Sequence, residues 1–209
     1  MHSFKCDGAI IYGPKIRNLL ITTFVINLSN LIGICVIQQN IVSLVLSWIL
    51  VDYFLYRSAL SDPGILPRQP RHQMSKIKQK RKLIFNGNKS HLVEMKYCTT
   101  CHIIRPMGCS SQSDHRTVHC SQCDCCVQEF DHHCPWISNC IGKHNYFSFL
   151  MFISILAINI VLHLYSTSLS ISQNGASWYA VMFLVYLLPY LSGISYLLIY
   201  HCYYSIYRN

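Results

Sequence analysis

"CSQCDCCVQEFDHHCPWISNC", Cys120 to Cys140, packs six cysteines and two histidines into a short stretch and then runs almost directly into an apolar segment. Cys98 and Cys101 form a C-x-x-C pair upstream; Cys120 with Cys123 forms a second, and Cys123 with Cys126 overlaps it as a third. This spacing lets two thiolates converge on one tetrahedral ion at metal–sulfur distances of about 2.3 Å. From Cys98 to Cys140 there are nine of the chain's twelve cysteines and five of its eleven histidines. That is enough for two four-ligand sites with residues to spare. Two metals would let a stretch poor in continuous apolar periodicity fold without much core. Within it, Cys134 reads either as a thiol tied up by metal or as one left free to react.

The flanks are of another kind. The chain has 209 residues, 52% hydrophobic and only 12% charged, with a mean hydropathy of +0.28, too apolar for an ordinary soluble domain. Four apolar segments, Leu19 to Ile37, Ile41 to Tyr56, Phe147 to Leu169 and Trp178 to Tyr200, approach the roughly 20 residues a helix needs to cross hydrocarbon. The fourth is broken by Pro189 and Gly193. A soluble protein would have to bury all four as core helices, which leaves too little polar face for a water-exposed shell. No small-residue cleavage site follows the first segment and a second apolar run begins almost at once, so a span is expected there and not a cleaved signal. Asp52, Asn159 and His163 fall inside spans, where hydrogen bonding between helices is the expected role, ahead of substrate contact.

All seventeen Lys and Arg lie before the first span (Lys5, Lys15, Arg17), between the second and third, or after the fourth (Arg208). The positive-inside rule then puts both termini and the middle loop in the cytosol. That compartment is reducing, so the clustered cysteines are expected as thiols or metal ligands. Arg68 to Ser90 carries eight basic residues and no acid, and reads either as a solvated linker or as a segment lying on anionic lipid. Its place beside a span favours lipid over nucleic acid.

"YCTTCHIIRP" (Tyr97 to Pro106), "HRTVHCSQCDCCVQEFDHHCPWISNCIGKHNYFSF" (His115 to Phe149) and the "DPG" at Asp62 to Gly64 resemble the DHHC protein S-acyltransferases, or palmitoyltransferases. The resemblance covers nearly the whole topology. It implies an α-helical multi-pass membrane protein with four transmembrane helices and a cytosolic two-zinc domain between the second and third. Laid on this chain, the segments are a cytosolic N-terminus (1–18), a first transmembrane hairpin (19–60), the DPG segment and basic linker (61–96), the cysteine-rich zinc domain (97–146), a second hairpin (147–204) and a short end (205–209).

The family pattern implies one zinc on Cys98, Cys101, His119 and Cys126 and another on Cys120, Cys123, His133 and Cys140, leaving Cys134 over. Eight residues, Met107 to Asp114, are extra to the family's spacing and read as a surface loop that leaves the zinc sites intact. Cys109 in that insert and Cys125 have no place in the pattern. Each is read as an ordinary exposed or packed cysteine, with self-acylation or ligand swapping as the other readings. Family members usually carry a "TTxE" motif shortly after the fourth span, where this sequence reads "HCYYSIYRN" to Asn209.

A free thiol titrates near about 8.5, so little thiolate exists at neutral pH without help. Asp131, His132 and Cys134 suit an acid that fixes an imidazole and an imidazole that activates a thiol. His132 could instead be a hydrogen bonder to a zinc ligand; the resemblance favours catalysis. It implies acyl transfer from long-chain acyl-CoA, the second expected substrate being a cysteine on the cytosolic face of a client protein. Each buried CH₂ contributes about 0.8 kcal/mol, enough to hold a fatty chain among the spans, and Trp136 suits the boundary beside it. Membrane lipids are expected neighbours and the endoplasmic reticulum, Golgi or another endomembrane the expected location, with no nucleic-acid partner. A catalytically inactive zinc-binding scaffold is the alternative. A membrane-anchored zinc-finger ubiquitin ligase would give no reason for an acid, a base and a spare cysteine in "DHHC".

Overall fold

The computed structural model describes residues 3–5, 10–37, 39–70, 81–86, 89–94, 97–105 and 117–208. The insert at 107–114 with its Cys109, and residues 71–80 of the basic linker, lie outside them. Among the described residues four helices are long and apolar enough to cross a membrane, and the cysteine–histidine region lies between the second and third in the chain. The chain divides into two units, one of residues 1–16, 59–146 and 208–209, the other of residues 17–58 and 147–207.

The helical unit is built on α1 (Ile16–Ile37), α2 (Ile41–Leu60), α3 (Tyr146–Asn174) and α4 (Trp178–Arg208). Polar joints set the hairpins: Asn40, with φ 53°, accepts from Leu44 N and Ser43 Oγ and donates to Ser166 Oγ at 3.1 Å. Its core is the apolar cluster of Ile37, Leu44, Ile160, Phe183 and Leu187, while large side chains such as Phe24, Val42 and Ile199 are exposed, the inversion that lipid permits. The interior carries hydrogen bonds between helices: Asn159 Nδ2 donates to Asn30 Oδ1 (3.0 Å) and Ser47 Oγ (2.9 Å), and His163 Nε2 reaches the same Asn30 oxygen at 3.0 Å. Asp52 accepts from Asn27 at 3.3 Å. The sequence reading has the fourth segment broken at Pro189, but α4 runs through it without interruption. One missing amide is tolerated inside a membrane helix, where neighbouring groups can satisfy the carbonyl it frees.

The other unit is made of short antiparallel ladders. In chain order its strands are β1 (Ser3–Lys5), β2 (Ile10–Tyr12), β3 (Ile65–Leu66), β4 (Arg81–Asn86), β5 (Lys89–Glu94), β6 (Tyr97–Cys98), β7 (Ile103–Ile104), β8 (Val118–Cys120), β9 (Cys125–Val127), β10 (His132–Cys134) and β11 (Asn139–Ile141). They pair as β1-β2, β4-β5, β6-β7, β3-β9-β8 and β10-β11. The β4-β5 hairpin falls in and beyond the basic linker and was not expected from charge; the Gly87-Asn88 dipeptide between the strands was the available signal.

The three-stranded ladder separates two small cores. Leu66, Cys126 and His119 are register partners in line, and Ile65, Val127 and Val118 form the next row. Side chains alternate faces along a strand, so Leu66 packs with Cys98, Cys101, Ile103 and Cys126 while Ile65 packs with Cys120, Cys123, Cys125, Val127 and Cys140. The DPG turn launches β3: Asp62 Oδ1 accepts from the amides of Gly64 and Ile65, both at 2.8 Å, and Gly64 sits at φ 102°, where a side chain is strained. Gly142 packs against the same turn so closely that a Cβ there would lie 2.5 Å from Pro63 O and 2.6 Å from Val127 Cγ1.

Candidate functional site

Each metal-ligand candidate sits on a hairpin, which is why C-x-x-C spacing works here. Cys98 ends β6 and Cys101 lies in the turn after it, where the Cys101 amide donates to Cys98 Sγ at 3.4 Å. Cys120 ends β8 and Cys123 lies in the following turn, which Asp124 exits at φ 53°. A left-handed residue closes such turns, and Asp adopts it at lower cost than most.

Two clusters result: Cys98, Cys101, His119 and Cys126, and Cys120, Cys123, His133 and Cys140, with the donor atoms of each all within 4.8 Å of one another. In the first, His119 Nδ1 lies 3.4 Å from Cys101 Sγ and 3.8 Å from Cys126 Sγ. In the second, His133 Nδ1 lies 3.8, 3.2 and 3.7 Å from the sulfurs of Cys120, Cys123 and Cys140. The edges of a tetrahedron around a thiolate–imidazole ion run about 3.5–3.8 Å, given bonds of about 2.0–2.3 Å. The donor sets fit a metal ion in number, chemistry and spacing.

Electrostatics points the same way, since these thiols cannot all ionise together unaided. In the first cluster burial opposes ionisation of Cys98, but the amides of Cys101 and Thr100 and the Cys126 thiol bring it down to about 7; burial and its sulfur neighbours push Cys126 up. In the second, hydrogen bonding from Cys123 holds Cys120 down, and the same Cys120 pushes Cys123 and Cys140 up. A divalent cation among them removes that conflict.

Beyond the first cluster's ligands stands a carboxylate. Asp124 Oδ1 is 3.6 Å from His119 Nε2, the ring nitrogen facing away from the sulfurs, and Asp124 Oδ2 is 2.5 Å from Arg68 Nη2. Hydrogen bonding from Arg68 holds the Asp124 carboxyl below its ordinary range. Arg68 also donates to the Asp124 carbonyl. Neither residue stood out in the sequence, because no motif joins positions 68 and 124.

Cys134 is in neither cluster. On β10 it shares a face with His132, while His133 between them takes the other face and joins the second cluster. Asp131 Oδ2 accepts from His132 Nδ1 at 2.8 Å, and the same ring hydrogen-bonds Cys134. Burial works to lower the proton affinity of His132, but Asp131 and Cys134 outweigh it and push the imidazole up to about 9. At neutral pH this ring is a cation between a carboxylate and a sulfur. Cys134 itself is buried, 5% exposed, whereas Trp136 in the following turn is 67% exposed.

Asn139, opposite Cys134 in the β10-β11 register, is a part of this site that sequence reasoning missed. Wholly buried, it donates to the carbonyls of Ala59 and Ser61 at 3.0 Å each and accepts from the Cys140 amide at 2.8 Å. The turn between the two strands is further held by Ser138, whose Oγ accepts from Lys15 N at 3.0 Å.

Residues 91–209 match the family model of the DHHC palmitoyltransferases. Among similar proteins, a probable protein S-acyltransferase 5 of Arabidopsis thaliana is 32% identical over 72% of this chain and 36% of its own length. Palmitoyltransferase ZDHHC9 of Danio rerio is 32% identical over 76% of this chain and 46% of its own length, and palmitoyltransferase ZDHHC14 of Homo sapiens is 39% identical over 47% and 22%. The chain thus spans less than half the length of each of these relatives. Four membrane-length helices, two Cys₃His clusters between the second and third, and a family match over more than half of the sequence agree, and the chain belongs to the DHHC palmitoyltransferase family.

Proposed function

We propose that this chain is a protein S-acyltransferase that moves a long-chain acyl group from acyl-CoA to cysteines of client proteins through an acyl-Cys134 intermediate. The observation that carries the reading is that both four-donor clusters close without Cys134, whose sulfur instead meets an imidazole already paired with a carboxylate.

In the proposed reaction Cys134 Sγ attacks the thioester carbonyl of acyl-CoA as a thiolate held against protonated His132. The carbon–sulfur bond to CoA then breaks, and the departing CoA thiolate takes the His132 proton. A client thiol returns a proton to His132 as it attacks acyl-Cys134, and Cys134 leaves as the thiolate that began the cycle. One thioester replaces another at each step, so no further energy source is needed. Asp131 fixes the ring through Nδ1 and favours its charged form.

The two clusters are assigned to zinc, the ion that Cys₃His sets of this geometry suit, with Cys98, Cys101, His119 and Cys126 on one and Cys120, Cys123, His133 and Cys140 on the other. Zinc there supplies structure, tying hairpins of only two or three residues per strand into one body. The arrangement of Lys and Arg supports a cytosolic placement of this domain, against membrane lipid and the cytosolic-face cysteines of clients; an endomembrane is the proposed location.

The test is incubation of detergent-purified protein with labelled acyl-CoA. Hydroxylamine-labile label should appear on the wild type and be absent from Cys134→Ser. Label unchanged by that substitution would reject the acyl-Cys134 intermediate, and no label on either protein would favour a metal-binding membrane scaffold.

A further inference from the structure

The strand register puts one more sulfur on the face of the second cluster, beside its four donors. In the β8-β9 ladder His119 stands opposite Cys126 and Cys120 opposite Cys125. Facing residues share a side of the sheet and successive ones alternate. His119 and Cys126 therefore lie on the face of the first cluster, and Cys120 and Cys125 on the face of the second. The packing agrees: Cys125 is 7% exposed and lies among Cys120, Cys123, Cys140 and Val127. Its thiol hydrogen-bonds Cys123. Cys125 thus stands beside the second cluster and bonded to Cys123, but outside the four donors, Cys120, Cys123, His133 and Cys140, that lie within 4.8 Å of one another.

We propose that Cys125 is a reserve ligand of the second metal centre, able to take the place of Cys123 when that sulfur is lost or blocked. The inference rests on the two-metal reading above. Cys123 lies in the turn that leads into β9 and Cys125 is the first residue of that strand, so the exchange needs a change in the turn and none in the ladder. Charge balances: the metal–Cys123 bond breaks as the metal–Cys125 bond forms, Cys125 releases its proton to solvent and Cys123, where still present, takes one up. Cys120, Cys140 and His133 stay in place. A cysteine that merely filled the core would share the burial but not rescue the metal, and it could be replaced by valine without consequence.

The experiment measures bound zinc per chain on the full chain in detergent for the wild type, Cys125→Val, Cys123→Ser and the double variant. The expected result is two zincs on the wild type and on each single variant, and one on the double variant. Cobalt loading adds a readout of ligand identity: the thiolate-to-cobalt absorption of Cys123→Ser should keep its wild-type intensity, and that of the double variant should fall. One zinc on Cys123→Ser beside two on the wild type overturns the inference while leaving the two-metal reading intact. Two zincs on the double variant overturn it as well. A wild type with fewer than two rejects the two-metal reading and this inference together.

Discussion

Cys134 and Asn139 face each other across the β10-β11 ladder, and the Asn139 side chain donates to the carbonyls of Ala59 and Ser61, so the strand pair that presents the thiol is fastened to residues of its own unit just ahead of the DPG turn. A helix C-terminus leaves carbonyls without intrahelical partners, and here a buried amide from a distant hairpin supplies them. The same side chain also caps the amide of Cys140, a ligand candidate of the second cluster.

Replacing Asn139 with alanine should therefore leave a buried carbonyl and a buried amide unsatisfied. The expected cost is about 1–3 kcal/mol, a fall in melting temperature of about 2–12 °C for a chain of this size. Thermal unfolding in detergent measures it. Gln39→Ala, which removes an exposed side-chain bond to Gln173, should shift the midpoint far less; equal shifts would mean that Asn139 is no clasp.

On the proposed mechanism, His132 governs the reactivity of Cys134. Without the imidazole the sulfur loses its cationic neighbour, and alkylation of Cys134 at pH 7 should slow by about 100-fold in His132→Ala, the low end of what a lost acid–base partner costs. Mass spectrometry of the peptide carrying Cys134 reads the rate directly. Zinc content should be unchanged, because His132 belongs to neither cluster; a variant that loses metal would place this histidine in a structural role.

The proton on His132 also ties stability to pH. Its folded-state value of about 9 lies above the ordinary 6.5. The folded chain therefore binds that proton more tightly than the unfolded chain does. This contribution is fully present below about pH 6.5 and is lost as pH rises through 9. With the ring partly open to solvent, the expected loss between pH 6 and 10 is about 1 kcal/mol after screening, or about 2–4 °C in melting temperature. The difference between wild type and His132→Gln should shrink over that range, and a difference that does not change with pH would rule the linkage out.

Metal removal should act on one unit of the chain. The β6 to β11 hairpins have cores built largely of the candidate ligands themselves, whereas the helices are held by the apolar cluster around Phe183 and by Asn30, Ser47, Asn159 and His163. A strong chelator should expose residues 97–146 to protease while leaving the far-ultraviolet helical signal nearly unchanged. Protection of that segment after complete loss of zinc would show that the hairpins fold without it.

Gly142 gives a test of packing between the DPG turn and the strand after Asn139. A methyl group there meets the carbonyls of Pro63 and Gln128 as well as Val127, and the backbone oxygens cannot turn aside. Gly142→Ala should destabilise the unit by about 1–3 kcal/mol. Comparison with Gly193→Ala, where a Cβ meets nothing within 4 Å, separates the clash from a general effect of the substitution.

The sequence by itself determined the four membrane-length helices and the C-x-x-C pairs, because both are written locally. Span length and hydropathy are properties of one continuous segment, and a C-x-x-C pair is brought together by a single turn whatever lies around it. Pro189 was misleading as a breaker because lipid leaves the rest of α4 no better alternative than a helix. Tertiary structure decided what depends on register and on contacts far apart in the chain. The β8-β9 pairing chose the face on which Cys125 lies, residues 59 and 139 met through a buried amide, and Arg68 reached Asp124. A one-residue slip in any of these strands would turn each side chain to the opposite face, so which sulfur joins which cluster, and which one meets His132, is fixed only when the strands pair.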